Sequence, residues 1–256
     1  MRTLIDFDDA PVFAIPTADG VLEGVLLDGP QGWGEFSPPP DADDALAALW
    51  LTAAMEPSTV GWPDAMRGRV PVADRAARAV VEVDDVDAAV AQITGLGAVE
   101  LVELVCRDPA QARAVRDRVD VPVAVDAWLL AVDPQCADVA ALRCGELGGV
   151  RRALRRAEKL GLPAVVAFTG TTSIGLAADV ALAAALPDLP FACGAVPGWV
   201  ADADIVSASR SLVPVDGFLP AAPMPAAPER LEQFRVTDPE RLRHWRELLH
   251  RAAALL

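Results

Sequence analysis

The sequence predicts an α/β protein in which an α+β region, called the capping region below, precedes a reduced, incomplete β/α barrel. Strand-like runs and one amphipathic helix make up residues 1–65, whereas strand and helix signals alternate over residues 66–220. The chain has 256 residues. Because a complete eightfold barrel alone takes about 250 residues, a barrel that shares this chain with a cap must lack one or two β/α units.

Strand signals open the capping region at residues 10–37, where Asp28-Gly29 is a turn pair typical of a β-hairpin. An amphipathic helix is predicted for residues 41–56, because its first turn is acidic and its apolar residues recur at helical spacing. These signals predict an independent α+β layer.

The barrel region alternates short apolar runs with helical patterns. The runs are almost continuously apolar, which is typical of parallel strands covered on both faces. Strands are predicted at 69–72, 79–83, 99–105, 121–125, 137–142 and 163–168, and helices at 85–94, 108–119, 149–160 and 174–186. Residues 221–256 are predicted to form a C-terminal segment whose closing helix, 240–256, packs back on the capping region.

Composition excludes several function classes. With 22 basic and 37 acidic residues the formal net charge is −15, so a nucleic-acid partner is not expected. A membrane span is not expected either, because uncharged apolar stretches of sufficient length are missing. The N-terminus lacks a signal-peptide layout, and four widely spaced cysteines predict buried free thiols. We therefore expect a cytoplasmic protein.

The basic residues are almost all arginine. Lys159 is the one lysine among the 22, and the chain has no tyrosine. His244 and His250 are predicted to lie on the surface of the closing helix, and Arg151, Arg152, Arg155 and Arg156 to form a solvent-exposed helix face. Lysine and tyrosine acid–base chemistry therefore has almost no candidates here.

Six short stretches follow one another in a family-specific order. They are 32–38 (GWGEFSP), 116–124 (RDRVDVPVA), 147–150 (LGGV), 173–178 (SIGLAA), 183–187 (AAALP) and 191–194 (FACG). On these stretches the chain resembles the enolase superfamily and, within it, the actinobacterial type of o-succinylbenzoate synthase from menaquinone biosynthesis. The resemblance implies a capping domain over a modified barrel. It also implies a lyase in which Mg²⁺ held by three carboxylates, with lysines on two opposed strands, supports proton abstraction beside a carboxylate and loss of water.

Both lysine positions of the family are altered. The interval from Pro71 to Val105, where the resemblance places a Lys-x-Lys strand, contains no lysine. The later lysine position, before the Leu-Gly-Gly motif, is Arg143. Arginine keeps the positive charge but does not lose its proton, so Arg143 is a candidate carboxylate anchor or enolate stabiliser and not a base.

The carboxylate positions are better preserved. Reading back without gaps from Val121-Pro122, the resemblance puts Asp126 on the third metal ligand and Glu103 on the second, with Glu82 as the local candidate for the first. These residues at the ends of neighbouring strands predict a Mg²⁺ site. The alternative is that they are ordinary acidic residues and no metal binds.

The loop before the helix at 174–186 is the candidate substrate-binding segment. Backbone N–H groups of Thr169, Gly170 and Thr171 could bind an anion such as a small carboxylate, although simple helix capping explains the same pattern. Phe168 is expected to intrude into the mouth of the barrel.

Three functions are consistent with these residues. The first is an active o-succinylbenzoate synthase, which the missing lysines disfavour. The second, favoured, is a degenerate relative that binds a ligand or partner. The third is a remodelled enzyme that uses Asp126 or Glu103 as base and Arg143 as anchor. Because an incomplete barrel exposes strand edges, we also expect a homodimer or another protein partner to cover it.

Overall fold

A three-stranded antiparallel sheet and one long helix form the capping region. The computed structural model describes residues 5–18, 20–73, 77–195, 200 and 203–256. The sheet has the order β1 (Val12–Thr17), β2 (Gly20–Gly29), β3 (Gly32–Phe36), and α1 (Asp44–Thr59) packs against it. Asp43 caps α1 by accepting a hydrogen bond from the Leu46 N–H at 2.8 Å.

Glycines let α1 approach its neighbours closely. A Cβ on Gly34 of β3 would lie 1.8 Å from the carbonyl oxygen of Ala54, and one on Gly145 would lie 2.7 Å from the ring of Trp50. Only glycine fits at these two contacts, so α1 is held tightly between the capping sheet and the barrel.

The barrel contains a five-stranded parallel sheet in chain order. The strands are β5 (Arg78–Glu82), β6 (Leu101–Val105), β7 (Val123–Asp126), β8 (Val139–Leu142) and β9 (Ala164–Val166). The helices between and after them are α2 (Val86–Gly95), α3 (Pro109–Arg116), α4 (Ala127–Val132), α5 (Cys144–Leu147), α6 (Val150–Leu160) and α7 (Ser173–Ala185). The predicted strands and helices are confirmed with ends shifted by a few residues, whereas the short helices α4 and α5 were not predicted.

Side chains of the barrel strands point alternately to the two faces of the sheet, so the barrel has two hydrophobic clusters. One set of strand residues packs with the helices into the main hydrophobic cluster. The other set, which faces the barrel interior, forms a small cluster of Leu101, Ala124, Val139, Ala141 and Val165 against Phe191. Because two of these residues are alanines, the interior above this cluster stays open to polar side chains.

In the described chain the barrel is open between β5 and the two-stranded sheet that contains β4 (Arg69–Pro71). Beyond β9, the Gly194 N–H donates to the Val166 carbonyl and the Cys193 N–H to the Pro71 carbonyl, both at 2.9 Å. Residues 193–194 therefore join β9 to β4. The other edge of β4 pairs antiparallel with β10 (Phe218–Pro220). The expected incomplete barrel is thus confirmed, and its gap lies before β5.

Two buried glutamates of the capping region bind the N-termini of consecutive barrel helices. Glu35 of β3 accepts hydrogen bonds from the N–H groups of Thr172 (3.3 Å) and Gly175 (3.0 Å) at the start of α7. Glu56 of α1 accepts from the Val150 N–H (2.5 Å) and the Arg151 N–H (3.2 Å) at the start of α6. Each carboxylate satisfies helix donors that would otherwise be orphaned.

The C-terminal segment ends in α8 (Pro228–Phe234) and α9 (Pro239–Ala253). Trp245, Leu249 and Ala252 of α9 enter the hydrophobic cluster of the capping region. Both histidines are exposed on α9, as predicted. All four cysteines are buried and free, also as predicted, and burial raises the pKa of Cys193 to about 12. Within the described residues, no helix is long and apolar enough to cross a membrane.

Candidate functional site

Three of the predicted site residues meet at the carboxyl ends of neighbouring strands. Glu103 lies in β6, Asp126 ends β7 and Arg143 follows β8. One terminal nitrogen of the Arg143 guanidinium donates to Asp126 Oδ1 and the other to Glu103 Oε1. A single cation therefore spans the two carboxylates that the sequence assigns to a metal.

Arg78 of β5 completes this cluster and was missed by the sequence analysis. Its Nη2 donates to Glu103 Oε2, so the two oxygens of Glu103 each receive an arginine. The Arg78 side chain is 7% exposed and that of Glu103 is 4% exposed. The available signal was an arginine directly before the apolar run Ala79–Val81, because a cation drawn into the interior beside such a run needs an acidic partner.

The cluster of Arg78, Glu103, Asp126 and Arg143 is electrically balanced. Two carboxylates face two guanidiniums, and the hydrogen bonds between them offset the cost of burying these charges, while Nη1 of Arg78 has no acceptor among the described residues. Glu146 lies at the edge of the cluster, where burial raises the pKa of its carboxyl and the nearby Arg143 only partly offsets that effect. The mouth of the barrel therefore holds little uncompensated negative charge.

Glu82, the third predicted metal ligand, stands apart from the cluster. It is exposed at the end of β5, in register with Val105, whereas Val80 is the register partner of Glu103. Over the residues that the structure describes, no three His, Cys, Asp or Glu side chains are grouped so as to hold a metal ion. The assignment of Glu82, Glu103 and Asp126 to a metal stays a prediction.

The Thr169-Gly170-Thr171 loop is held from below by a buried acid. Asp179 of α7 accepts hydrogen bonds from the Thr169 N–H (3.0 Å), the Thr169 hydroxyl (2.9 Å) and the Cys144 N–H (2.9 Å). Burial raises the pKa of Asp179 to about 6 in spite of these donors. The N-terminus of α7 beyond the loop already binds Glu35, so an external anion there would compete with that carboxylate.

Two cavities flank the cluster. The smaller, of about 290 Å³, is lined by Arg78, Val80, Glu103, Arg143 and Phe168, among others. The larger, of about 790 Å³, lies between barrel, cap and α9, and its lining includes Arg143, Phe168, Glu146, the Thr169–Thr171 loop, His244 and Trp245. Because Arg143 and Phe168 line both cavities, they form the wall between them.

Comparisons with known proteins agree on the family. The protein-family model described as Enolase N-terminal domain-like matches residues 20–58. The o-succinylbenzoate synthase of Thermobifida fusca is 37% identical over 279 residues, covering 86% of this chain and 87% of the relative. That of Mycobacterium leprae is 30% identical, covering 91% and 86%.

Solved structures agree on the fold. The 2-chloromuconate cycloisomerase of Rhodococcus opacus 1CP has a TM-score of 0.64 at 15% identity, covering 92% of this chain and all of that one. The muconate lactonizing enzyme of Klebsiella pneumoniae has a TM-score of 0.60 at 14% identity, covering 90% and 98%.

The length of the alignment with the Thermobifida fusca relative agrees with the open barrel. The alignment with the Thermobifida fusca relative runs over 279 residues, which is more than the 256 of this chain. It must therefore open gaps in this chain, as expected if part of the barrel is missing. Taken with the identity over most of both chains, this shows that the protein belongs to the o-succinylbenzoate synthase family of the enolase superfamily.

Proposed function

We propose that this protein is a member of the family that does not carry out metal-assisted dehydration. The observation that carries the proposal is the guanidinium of Arg143 between Glu103 and Asp126. At that position the family resemblance implies a lysine that exchanges a proton, whereas an arginine stays charged. The only lysine of the chain, Lys159, is exposed on α6.

The side chains at the barrel mouth do not fit the magnesium ion that the family implies. Mg²⁺ requires carboxylate oxygens free to coordinate it. Both oxygens of Glu103 and one of Asp126 accept hydrogen bonds from guanidiniums. A divalent cation would have to displace Arg143 and would be repelled by it, so these residues do not support a metal-dependent step.

The direct test is turnover of the cyclohexadiene substrate of the o-succinylbenzoate synthases in the presence of Mg²⁺. Loss of a general base typically lowers a rate by about 10²–10⁴-fold. With both lysines replaced, we expect a rate indistinguishable from that of the buffer. An Arg143→Ala variant serves as the matched control for trace contamination. Turnover by the wild-type protein that this variant abolishes would overturn the proposal.

A second candidate is a remodelled enzyme, or a binding protein, for a small carboxylate. It is favoured by the 290 Å³ cavity, in which Arg78 and Arg143 flank the carboxylate of Glu103. Arg78 and Arg143 would bind the carboxylate of the ligand, and the Glu103 carboxylate would accept a proton from the adjacent carbon. We expect this activity to appear as deuterium exchange into succinate or phenylacetate that Glu103→Gln abolishes. Binding of these probes without exchange would favour the binding protein, and the absence of both would exclude the candidate.

The cytoplasm is the compartment we propose for the protein. The four buried free thiols support this, because cysteines in reducing compartments remain unpaired.

A further inference from the structure

The strand β5 presents an unused hydrogen-bonding edge. The Ala77 carbonyl accepts from the Glu100 N–H (2.8 Å), and the Val83 N–H donates to the Val105 carbonyl (3.0 Å), so odd-numbered residues face β6. Backbone groups alternate along a strand, and those of Arg78, Val80 and Glu82 therefore point away from β6. Within the described ranges, β6 is the only strand that pairs with β5.

The centre of this edge is exposed and apolar. Val80 is 59% exposed and Glu82 is also exposed. Arg78 has a buried side chain but is only partly buried as a whole residue, so its exposure lies in the backbone. Proteins usually protect such edges with charged side chains, proline or a bulge. The run Arg78–Glu82 contains no proline, and its two charged residues have opposite signs, so they attract each other when two copies pair in the antiparallel direction. The edge is therefore suited to pairing with another strand.

The sequence of β5 is complementary to itself in the antiparallel direction. If two copies pair about a two-fold axis at Val80, each Val80 faces its counterpart and each Arg78 faces Glu82 of the partner subunit. The pairs then join opposite charges and like apolar groups, which stabilises neighbouring strands. All three pairs also fall on residues whose backbone groups point outward, as an antiparallel ladder requires.

The candidate site supplies a reason for the charge pair. Arg78 binds Glu103 through Nη2, while its Nη1, which is enclosed within the same subunit, has no acceptor among the described residues and leaves part of the positive charge unpaired. Glu82 is exposed and makes no ion pair with any described residue. We propose that two copies of the chain associate through an antiparallel β5–β5 pair, in which Glu82 of the partner subunit lies beside Arg78 at the open side of the barrel.

Disulfide trapping tests the register of this pair. Directly opposed residues in a hydrogen-bonded antiparallel pair have Cα atoms about 5.5 Å apart, which a disulfide can span. We expect Val80→Cys to form a covalent dimer under mild oxidation. Glu82→Cys is the matched control, because its two copies would lie more than about 10 Å apart and should remain monomeric on a denaturing gel. The native cysteines are buried and free, so they do not compete.

Sedimentation equilibrium tests the association itself. We expect the wild-type chain to be a dimer, and both Val80→Pro and Glu82→Arg to weaken the dimer at least tenfold. Proline at position 80 removes an N–H that points away from β6, so the fold of the monomer is retained. Asp120→Arg, the same charge change at an exposed site without ion pairs in the described chain, should leave the dimer intact.

Each other outcome overturns the proposal. A wild-type chain that remains monomeric when its concentration in the sedimentation experiment is raised 100-fold excludes the dimer. A dimer that survives Val80→Pro or Glu82→Arg, or that fails to crosslink through Val80→Cys, excludes this edge. The test needs no activity, so its result is independent of the proposed function.

Discussion

Buried carboxylates hold together two different regions of this molecule, the cap–barrel interface and the mouth of the barrel. At the interface, Glu35 and Glu56 accept hydrogen bonds from backbone N–H groups at the starts of α7 and α6. At the mouth, Glu103 and Asp126 accept hydrogen bonds from the guanidinium of Arg143. Backbone donors exist wherever the helices exist, whereas guanidinium donors depend on individual side chains. The cap can therefore stay docked while the chemistry of the mouth changes.

Removal of Glu56 should have the largest effect on the interface. Its carboxylate is 8% exposed, and its loss leaves the N–H groups of Val150 and Arg151 without an acceptor. We expect Glu56→Ala to lower the free energy of unfolding by about 4 kcal/mol. Urea unfolding measures this, with Glu158→Ala on the exposed face of α6 as the control. A change equal to that of the control would mean that the carboxylate does not hold the cap.

Asp179 should make stability depend on pH. Burial raises its pKa to about 6 in the folded protein, while an unfolded Asp has a pKa of about 3.9. The native state thus binds the proton more tightly, so stability falls as pH rises from about 4 to about 6. The fall amounts to about 2–3 kcal/mol.

The variant Asp179→Asn isolates this effect. Its stability relative to wild type should increase over the same pH range and level off above it, whatever constant cost the amide brings. Thermal unfolding at pH 4, 5, 6 and 7 follows the difference. A difference that does not change with pH would show that Asp179 titrates normally.

A methyl group added at Gly149 of the Leu-Gly-Gly motif should lower the free energy of unfolding. Gly149 has φ +102°, and a Cβ there would lie 2.4 Å from Glu56 Oε2. Gly161 ends α6 at φ +65° with open space around it. Gly149→Ala should lower the free energy of unfolding by about 2 kcal/mol, because it adds both backbone strain and a steric clash. The matched variant Gly161→Ala should lower it by about 1 kcal/mol through backbone strain alone, and urea unfolding measures both values. Equal losses of stability in the two variants would show that the clash with Glu56 does not contribute.

The local sequence pattern was sufficient to predict most of the strands and helices and part of the candidate site. Apolar runs of strand length predicted β4 to β9, whereas the three-residue β10 and the helices α4, α5 and α8 were not predicted. The rule that parallel strands end at one edge brings Glu103, Asp126 and Arg143 together. The roles of Glu35 and Glu56 were beyond prediction, because their partners lie about a hundred residues away and are backbone groups.

The prediction for the arginines of α6 was incomplete for the same reason. Arg151 was expected in solvent, but its guanidinium donates to Glu56 (2.8 Å) and to the Gly61 carbonyl (2.6 Å). The spacing of charges along a helix identifies a face and does not reveal which distant residue packs on it.

A calorimetric Mg²⁺ titration tests the central claim, that Arg143 stands where the family's metal would bind. We predict that the wild-type protein gives no binding heat at millimolar Mg²⁺, and that Arg143→Met, which frees Asp126 and one oxygen of Glu103, gives measurable heat. Binding of Mg²⁺ by the wild-type protein that Asp126→Ala abolishes would contradict the account.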